Sequence, residues 1–319
     1  MSGPRNPEAD EFGEIARLFR PLTGGAAGAF DLMDDAAVVP QRVGHDLVIT
    51  KDAVVEGVHF PVGEAPGLVA QKLLRVNLSD LAAKAAEPFG CFLAVAWPAG
   101  FGPDRRRAFA EGLGQDLAAF GLDLLGGDTV VTPGPLWASL TALGWVPEGG
   151  MIRRAGAKPG NVLWVSGAVG DGVLGLGAVR GEVEDPDGWL AERYRRPSPR
   201  LALREALRGS ATAAADVSDG LVADAGHIAA ASGVGIRLDL ERLPLSAGAR
   251  RWLEAQPDRT AALLHLATGG DDYEIVCTTA TGDSVPGCTA IGQVVAGAGI
   301  EVRMGGEPVD PGAGGWRHL

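Results

Sequence analysis

Six short segments of this 319-residue chain end in, or centre on, aspartate. They are Met33-Asp34-Asp35-Ala36-Ala37, Thr50-Lys51-Asp52, Asn77-Leu78-Ser79-Asp80, Gly126-Gly127-Asp128-Thr129, Asp216-Val217-Ser218-Asp219-Gly220 and Gly269-Gly270-Asp271-Asp272. Carboxylates gathered at one place repel one another unless a cation neutralises them. Hard oxygen ligands select hard cations, so the chemistry indicated is a magnesium site holding phosphates. Glycine beside several of the aspartates lets the backbone approach a phosphate closely.

Most of these segments stand where an apolar run gives way to a loop. Glu11 to Phe19 has the pattern of a short amphipathic helix, and Ala36 to Val39 and Asp46 to Thr50 have that of strands. If those two strands pair, Asp34, Asp35 and Asp52 meet at one end of a sheet. Pro66 to Ala86 carries helical periodicity through Leu68, Leu73, Leu74, Leu78 and Leu81, with Asp80 beside the apolar face. A carboxylate so placed needs a partner. Cys91 to Trp97 is a buried strand, Asp104 to Phe120 a helix, and Leu122 to Leu125 and Leu136 to Val146 strands.

Pro147-Glu148-Gly149-Gly150 marks a break, giving domains at 1–148 and 149–319. Beyond it, strands are expected at Asn161 to Ser166, Thr212 to Ala215, Gly235 to Leu240, Tyr273 to Thr279, Thr289 to Val295 and Ile300 to Arg303. Helices are expected at Gly172 to Val179, Gly220 to Ala231, Ser246 to Leu253 and Arg259 to Ala267. Pro186 to Arg200, charged and bounded by proline, reads as an exposed excursion. Both halves mix strands with helices long enough to cover a sheet, which is an α/β (α+β) architecture in two domains.

Composition narrows the class. Hydrophobic residues make up 46% and charged residues 21%, a globular balance, and the net charge of −12 argues against nucleic acid or an anionic membrane as partner. Cys91, Cys277 and Cys288 lack metal-ligand spacing and read as buried free thiols of a reducing compartment. Met1 to Asp10 lacks an apolar signal core and no apolar run is long enough to span a bilayer, so a cytoplasmic location is expected.

Gly170-Asp171-Gly172-Val173-Leu174-Gly175 matches a dinucleotide fingerprint by letter. The strand and acidic residue that should follow are replaced by the polar, turn-like Val183 to Gly188, so a tight strand-to-helix turn is the better reading. Its helix N-terminus could still touch an anion. There is no phosphate-binding G-x-x-x-x-G-K-[ST] loop, no protein-kinase catalytic loop and no G-x-S-x-G elbow. His59, His227, His265 and His318 stand apart, and His45 lies in a turn, giving no zinc pattern.

The ordered set of motifs, from Asp34-Asp35 through Val55-Glu56-Gly57-Val58-His59-Phe60 to Gly269-Gly270-Asp271-Asp272-Tyr273-Glu274, resembles thiamine-monophosphate kinases. That family belongs with aminoimidazole ribonucleotide synthetase and selenophosphate synthetase in one ATP-using superfamily. The likeness runs from about Glu11 to Trp316 in the same order. It implies ATP-dependent phosphorylation of thiamine monophosphate to thiamine diphosphate, with several magnesium ions and a homodimer. By motif position Asp35, Thr50, Asp52, Asp80, Asp128, Asp216 and Asp219 would be metal ligands. Asp35, Asp52, Asp80, Asp128 and Asp219 would carry the catalysis. Gly127, Asp128, Arg154 and Ser218 would contact ATP, and His59, Asp271 and Trp316 would face the substrate. The resemblance thus makes the second domain complete the ATP and substrate site.

Three positions depart from the family pattern. Lys51 stands where a hydroxyl residue is usual, and its ammonium is expected to replace part of the cationic charge. Val130-Val131-Thr132-Pro133 follows Asp128 where Arg and Gly are usual, and Asp271 replaces a glutamate. Two rival readings are an aminoimidazole ribonucleotide synthetase and a non-catalytic nucleotide- or metal-binding regulator. A selenophosphate synthetase is disfavoured, because Gly24 to Gly28 lacks the reactive Cys.

Overall fold

The computed structural model describes residues 11–312 and 314–315. The chain divides into two compact units: one runs to Leu81 and resumes at Pro88–Glu148, and the other takes Ala82–Glu87 and the chain from Gly149 onward. Each is a mixed sheet covered by helices.

In the first unit, strands β1 (His45–Val55), β2 (Glu87–Pro98), β3 (Asp123–Thr132) and β4 (Trp137–Pro147) form a sheet in the order β1-β4-β2-β3. β1 pairs antiparallel with β4 and β2 pairs parallel with β3, so β1 and β3 are the two edges. Helix α1 (Glu11–Glu14) continues as a wider turn over Ile15–Phe19, and α2 (Pro66–Ala83) and α3 (Pro103–Phe120) are the long helices. Proline at the first position of α3 costs no hydrogen bond, Asp104 complements the helix dipole, and Gly121 in the left-handed region ends the helix.

Phe109, Leu113 and Leu117 recur along the buried side of α3, while Leu73, Leu74, Leu78 and Leu81 do so on α2. Trp97 stacks on Phe101 at 5.2 Å and meets the edge of Phe109 at 5.3 Å. The two helices touch backbone to backbone, since a Cβ on Gly112 would lie 2.3 Å from the Gly67 carbonyl oxygen. Arg75 of α2 grips both carboxylate oxygens of Asp116 of α3 through one guanidinium edge, Nε and Nη2, at 2.5 and 2.9 Å.

Two expectations fail here for visible reasons. Ala36 to Val39 is not a strand; it runs against the preceding segment, with the Val38 N–H donating to Gly28 O at 2.9 Å. The strand expected at Leu122 to Leu125 does not stop at its glycines but continues through Thr132. Gly127 lies where β3 passes so close to β2 that a Cβ would sit 2.0 Å from Leu93 O. It is a packing glycine inside a strand.

The second unit holds β5 (Val162–Ser166), β6 (Ala211–Asp216), β7 (Gly235–Asp239), β8 (Ile275–Thr279), β9 (Cys288–Val295), β10 (Gly299–Met304) and β11 (Glu307–Val309). Their order is β11-β10-β7-β9-β5-β8-β6. Helices α4 (Asp171–Val179), α5 (Trp189–Arg195), α6 (Arg204–Ser210), α7 (Leu221–Ser232), α8 (Ala247–Glu254) and α9 (Arg259–Thr268) complete it. Ser246 caps α8 by accepting the Ala249 N–H, and Asp258 caps α9 through Ala261. Leu163, Val165, Leu221, Val222, Ile228 and Leu263 share the main core.

Pro186 to Arg200 is not an exposed excursion. Its central helix α5 buries Leu190, Arg193 and Tyr194. Among the described residues no helix is long and apolar enough to cross a membrane.

The backbone contact between α2 and α3 gives a direct test. Gly112→Ala should cost about 2 kcal/mol, because a methyl there can be housed only by separating two backbones. A thermal melt unchanged from wild type would refute the close approach.

Candidate functional site

β1 carries Thr50 and Asp52 on one face, and α2 brings Asp80 against them. The Thr50 hydroxyl donates to Asp80 Oδ2, and the Asp52 N–H donates to Asn77 Oδ1 at 3.1 Å. Asn77 is itself held by donating to Leu73 O at 2.8 Å. Burial, then the charge of Asp80, pushes the Asp52 carboxyl up to about 6. These are all hard oxygen donors carrying more negative charge than their neighbours offset, and that donor set fits magnesium.

The expected meeting of Asp34 and Asp35 with Asp52 along paired strands does not occur, because Ala36 to Val39 lies outside the sheet. Asp34 and Asp35 instead share a cleft of about 350 Å³ with Gly127, Asp128 and Thr129 of β3. Its inner wall is apolar, formed by Phe19, Leu32, Phe92 and Leu93 among others. The glycine-flanked Asp128 and the exposed Asp35 thus sit over a pocket with a greasy floor and an acidic rim.

Strand alternation separates Lys51 from this chemistry. Thr50 and Asp52 share a face, so Lys51 points to the opposite one, exposed with Leu47 and Ile49. The expectation that its ammonium supplies charge at the metal site is therefore corrected. His59 lies in the turn after β1, where its Nδ1 accepts the Val55 N–H at 3.1 Å. That fixes the tautomer with the proton on Nε2.

In the second unit, two motifs far apart in sequence are stitched together. The Asp271 N–H donates to Ser218 O at 2.9 Å, Tyr273 N–H to Val217 O at 2.8 Å, and Val217 N–H to Glu274 O at 2.8 Å. The structure therefore brings Asp216, Ser218, Asp219 and Asp271 into one neighbourhood. Asp216 is buried at the end of β6. Asp271 and Tyr273 both hold positive φ, 68° and 51°, and the Tyr273 hydroxyl donates to Asp271 Oδ1 at 2.9 Å. Such backbone strain persists only where the surroundings enforce it.

The enforcement comes from the alternate residues. Asp272 accepts the N–H groups of Gly170 and Gly172 at 2.7 and 2.8 Å, so the anion at the N-terminus of α4 is the protein's own carboxylate. Glu274 is fully buried and takes hydrogen bonds from Ser166, Arg193 and Arg200.

Sequence reasoning missed Asp224 and Asn77 as members of these clusters. Asp224 accepts the N–H groups of Ser218 and Asp219 at 3.0 and 3.1 Å, and so shapes the loop that presents them. Burial, then the charge of Asp219, pushes its carboxyl up to about 7, while those N–H bonds and Arg154 act the other way. The i, i+3 spacing of Asp224 and His227 on α7 was the available signal. It also corrects the reading of His227 as isolated. Arg154 is exposed, with its carbonyl accepting from Ser232 Oγ at 3.2 Å. Trp316 lies outside the described residues.

Residues 33–146 match the family described as AIR synthase related protein, N-terminal domain, and residues 158–305 match its C-terminal domain. A thiamine-monophosphate kinase from Caulobacter vibrioides is 55% identical over 99% of this chain and 93% of its own length. Two solved structures are similar in fold as well. The thiamine-monophosphate kinase of Stenotrophomonas maltophilia K279a is 38% identical with a TM-score of 0.77, covering 87% of this chain and 91% of that one. AaThiL complexed with AMPPCP and TMP is 29% identical with a TM-score of 0.79, covering 92% and 98%.

The raised Asp52 carboxyl has a measurable consequence. The fold favours its neutral form, so its contribution to stability is full below about 3.8 and is lost as pH rises through about 6. Without magnesium at pH 8, Asp52→Asn should melt several degrees above wild type, and the gap should close as pH falls toward 4. Magnesium should raise the wild-type melting temperature more than the variant's. Equal melting at pH 8, or an equal magnesium response, would count against a strained anionic site.

Proposed function

The chain belongs to the thiamine-monophosphate kinase family, and we propose that it transfers the γ-phosphoryl group of ATP to thiamine monophosphate by magnesium-assisted direct transfer. An oxygen of the acceptor phosphate attacks the γ-phosphorus, the bond to the β–γ bridging oxygen breaks, and ADP leaves with thiamine diphosphate formed. The attacking oxygen is already anionic, so no strong base is needed, and catalysis reduces to alignment and charge neutralisation. The observation that carries this reading is the uncompensated hard-oxygen cluster of Thr50, Asp52 and Asp80.

Asp35, Thr50, Asp52, Asp80, Asp128, Asp216 and Asp219 would hold magnesium, which when bound neutralises phosphate charge. Gly127, Asp128, Arg154 and Ser218 would bind ATP. His59 would present Nε2–H to the substrate, an orientation supported by the bond its Nδ1 accepts. Asp271, braced by Tyr273, would set a carboxylate against the cationic thiazolium. A biosynthetic role of this kind fits a cytoplasmic enzyme.

We also read the protein as a homodimer. β1 and β3 are opposite edges of a four-stranded sheet, three strand spacings or roughly 14 Å apart. Yet they carry Asp52 and Asp128, which the reaction would need on the same phosphates. Leu47 and Ile49 on β1 and Val130 and Val131 on β3 are exposed apolar residues. Pairing the β1 edge of one copy with the β3 edge of a second would cover both and bring the two carboxylates together.

ADP release should require both magnesium and thiamine monophosphate, and aminoimidazole precursors should not replace the latter. Tight ATP binding without substrate-dependent turnover would instead favour a regulator. Asp128→Asn should lower kcat by about 100-fold or more with its melting temperature kept. Mixing inactive Asp52→Asn and Asp128→Asn proteins should restore about a quarter of wild-type activity, because half the dimers would then carry one intact site. No recovery in a mixture shown to exchange subunits would reject the shared site.

A further inference from the structure

Asp224 is the least explained carboxylate of the second unit. It is fully buried, and its Oδ2 accepts the N–H groups of Ser218 and Asp219. Its Oδ1 is also buried and has no hydrogen-bond partner among the described residues. A buried carboxylate oxygen left without a partner is costly and calls for a ligand or ion. Oxygen or nitrogen atoms of Asp219, Asp224 and His227 lie within 4.8 Å of one another.

The placement follows from the local fold. Asp224 and His227 stand three residues apart on α7, which puts them on one face. Asp219 lies in the loop just before that helix, held by the bond from its N–H to Asp224. His227 is exposed, Asp219 half-buried and Asp224 buried.

We infer that Asp219, Asp224 and His227 form a mixed oxygen–nitrogen site for a first-row divalent transition-metal cation, for which Mn2+ is the paramagnetic probe. The donor set decides the class: the imidazole beside two carboxylates admits a first-row transition cation in addition to the magnesium proposed at Asp219. The inference deepens the metal role proposed for Asp219 and rests on that reading at that one residue. The cation satisfies Asp224 Oδ1 and ties the Ser218–Asp219 loop to α7.

The test uses the full-length, metal-free protein titrated with MnCl2 without nucleotide, read by pulsed electron paramagnetic resonance for nitrogen coupled to manganese. Wild type should show one nitrogen-coupled Mn2+. His227→Ala, at an exposed position, should lose the coupling and weaken that binding step about tenfold or more. Asp224→Asn keeps an acceptor for the two N–H groups while losing the ionic ligand, and should lose the coupling too. His59→Ala and Asp52→Asn should retain it. Absence of a nitrogen-coupled Mn2+ in wild type, or coupling that survives His227→Ala, overturns the site, as does its loss in His59→Ala. An Asp52→Asn protein that responds to magnesium like wild type while the coupling stays intact would sink the earlier reading alone.

Discussion

Buried negative charge is the constraint around which both units are arranged, and the chain resolves it in two different ways. Where a carboxylate serves the scaffold, the protein supplies the partner itself. Arg75 takes both oxygens of Asp116 between two helices, Arg193 and Arg200 take Glu274, and the N-terminus of α4 takes Asp272. Breaking any such pair would strand a charge, which costs far more than the pair contributes. Asp52 and Asp224 receive no such cation: Asp224, like Asp272, accepts two backbone N–H groups, and burial pushes all three carboxyls upward. Both are pushed upward by burial and by a neighbouring carboxylate, and no arginine or lysine donates to either among the bonds described. A chain able to neutralise Glu274 with two arginines does not leave these groups exposed to mutual repulsion for want of means. On the function proposed above, their partners would come from outside.

The internally bonded carboxylates also serve the others. Between Gly269 and Glu274 the side chains divide by role. Asp272 and Glu274 anchor inward, and Asp271 and Tyr273 take up left-handed backbone conformations that turn Asp271 toward Ser218. Without the anchors that conformation would relax, because each left-handed non-glycine residue costs energy of its own. In the first unit Asn77 does similar work. It is fully buried, grips its own helix at Leu73, and accepts the Asp52 N–H, so the strand cannot slide relative to α2 without breaking that bond. The motif residues next to the aspartates hold geometry as much as they hold ligands.

Much of this was legible in the sequence, and what was not has physical reasons. The long helices and the central strands follow from apolar period, proline starts and glycine stops, as α3 between Pro103 and Gly121 illustrates. Ala36 to Val39 has the composition of a strand yet pairs with no sheet strand, since pairing depends on which edges the remaining chain leaves open. Gly126-Gly127 reads locally as a turn, but the close approach of Leu93 O makes it the inside of a strand. Charge misled at Pro186 to Arg200, where Arg193 is buried precisely because Glu274 is there to receive it. Local sequence cannot contain that partner.

Which aspartates meet is a matter of strand order, and here lies the sharpest gap between sequence and structure. Asp35 and Asp52 are close in sequence, yet Asp35 shares its cleft with Asp128 while Asp52 lies on the far edge strand against Asp80. The same rule of alternation that puts Thr50 and Asp52 together takes Lys51 away from them. A lysine at that position therefore changes the exposed outer face of β1, the row containing Leu47 and Ile49, and leaves the carboxylate cluster's charge as it was. The unusual residue sits within the aspartate motif by sequence but lies, by geometry, on the exposed outer face of β1. Edge strands commonly carry a charge that limits unwanted pairing. Lys51 would then bear on partner choice, whereas the proposed chemistry would rest on the carboxylates behind it.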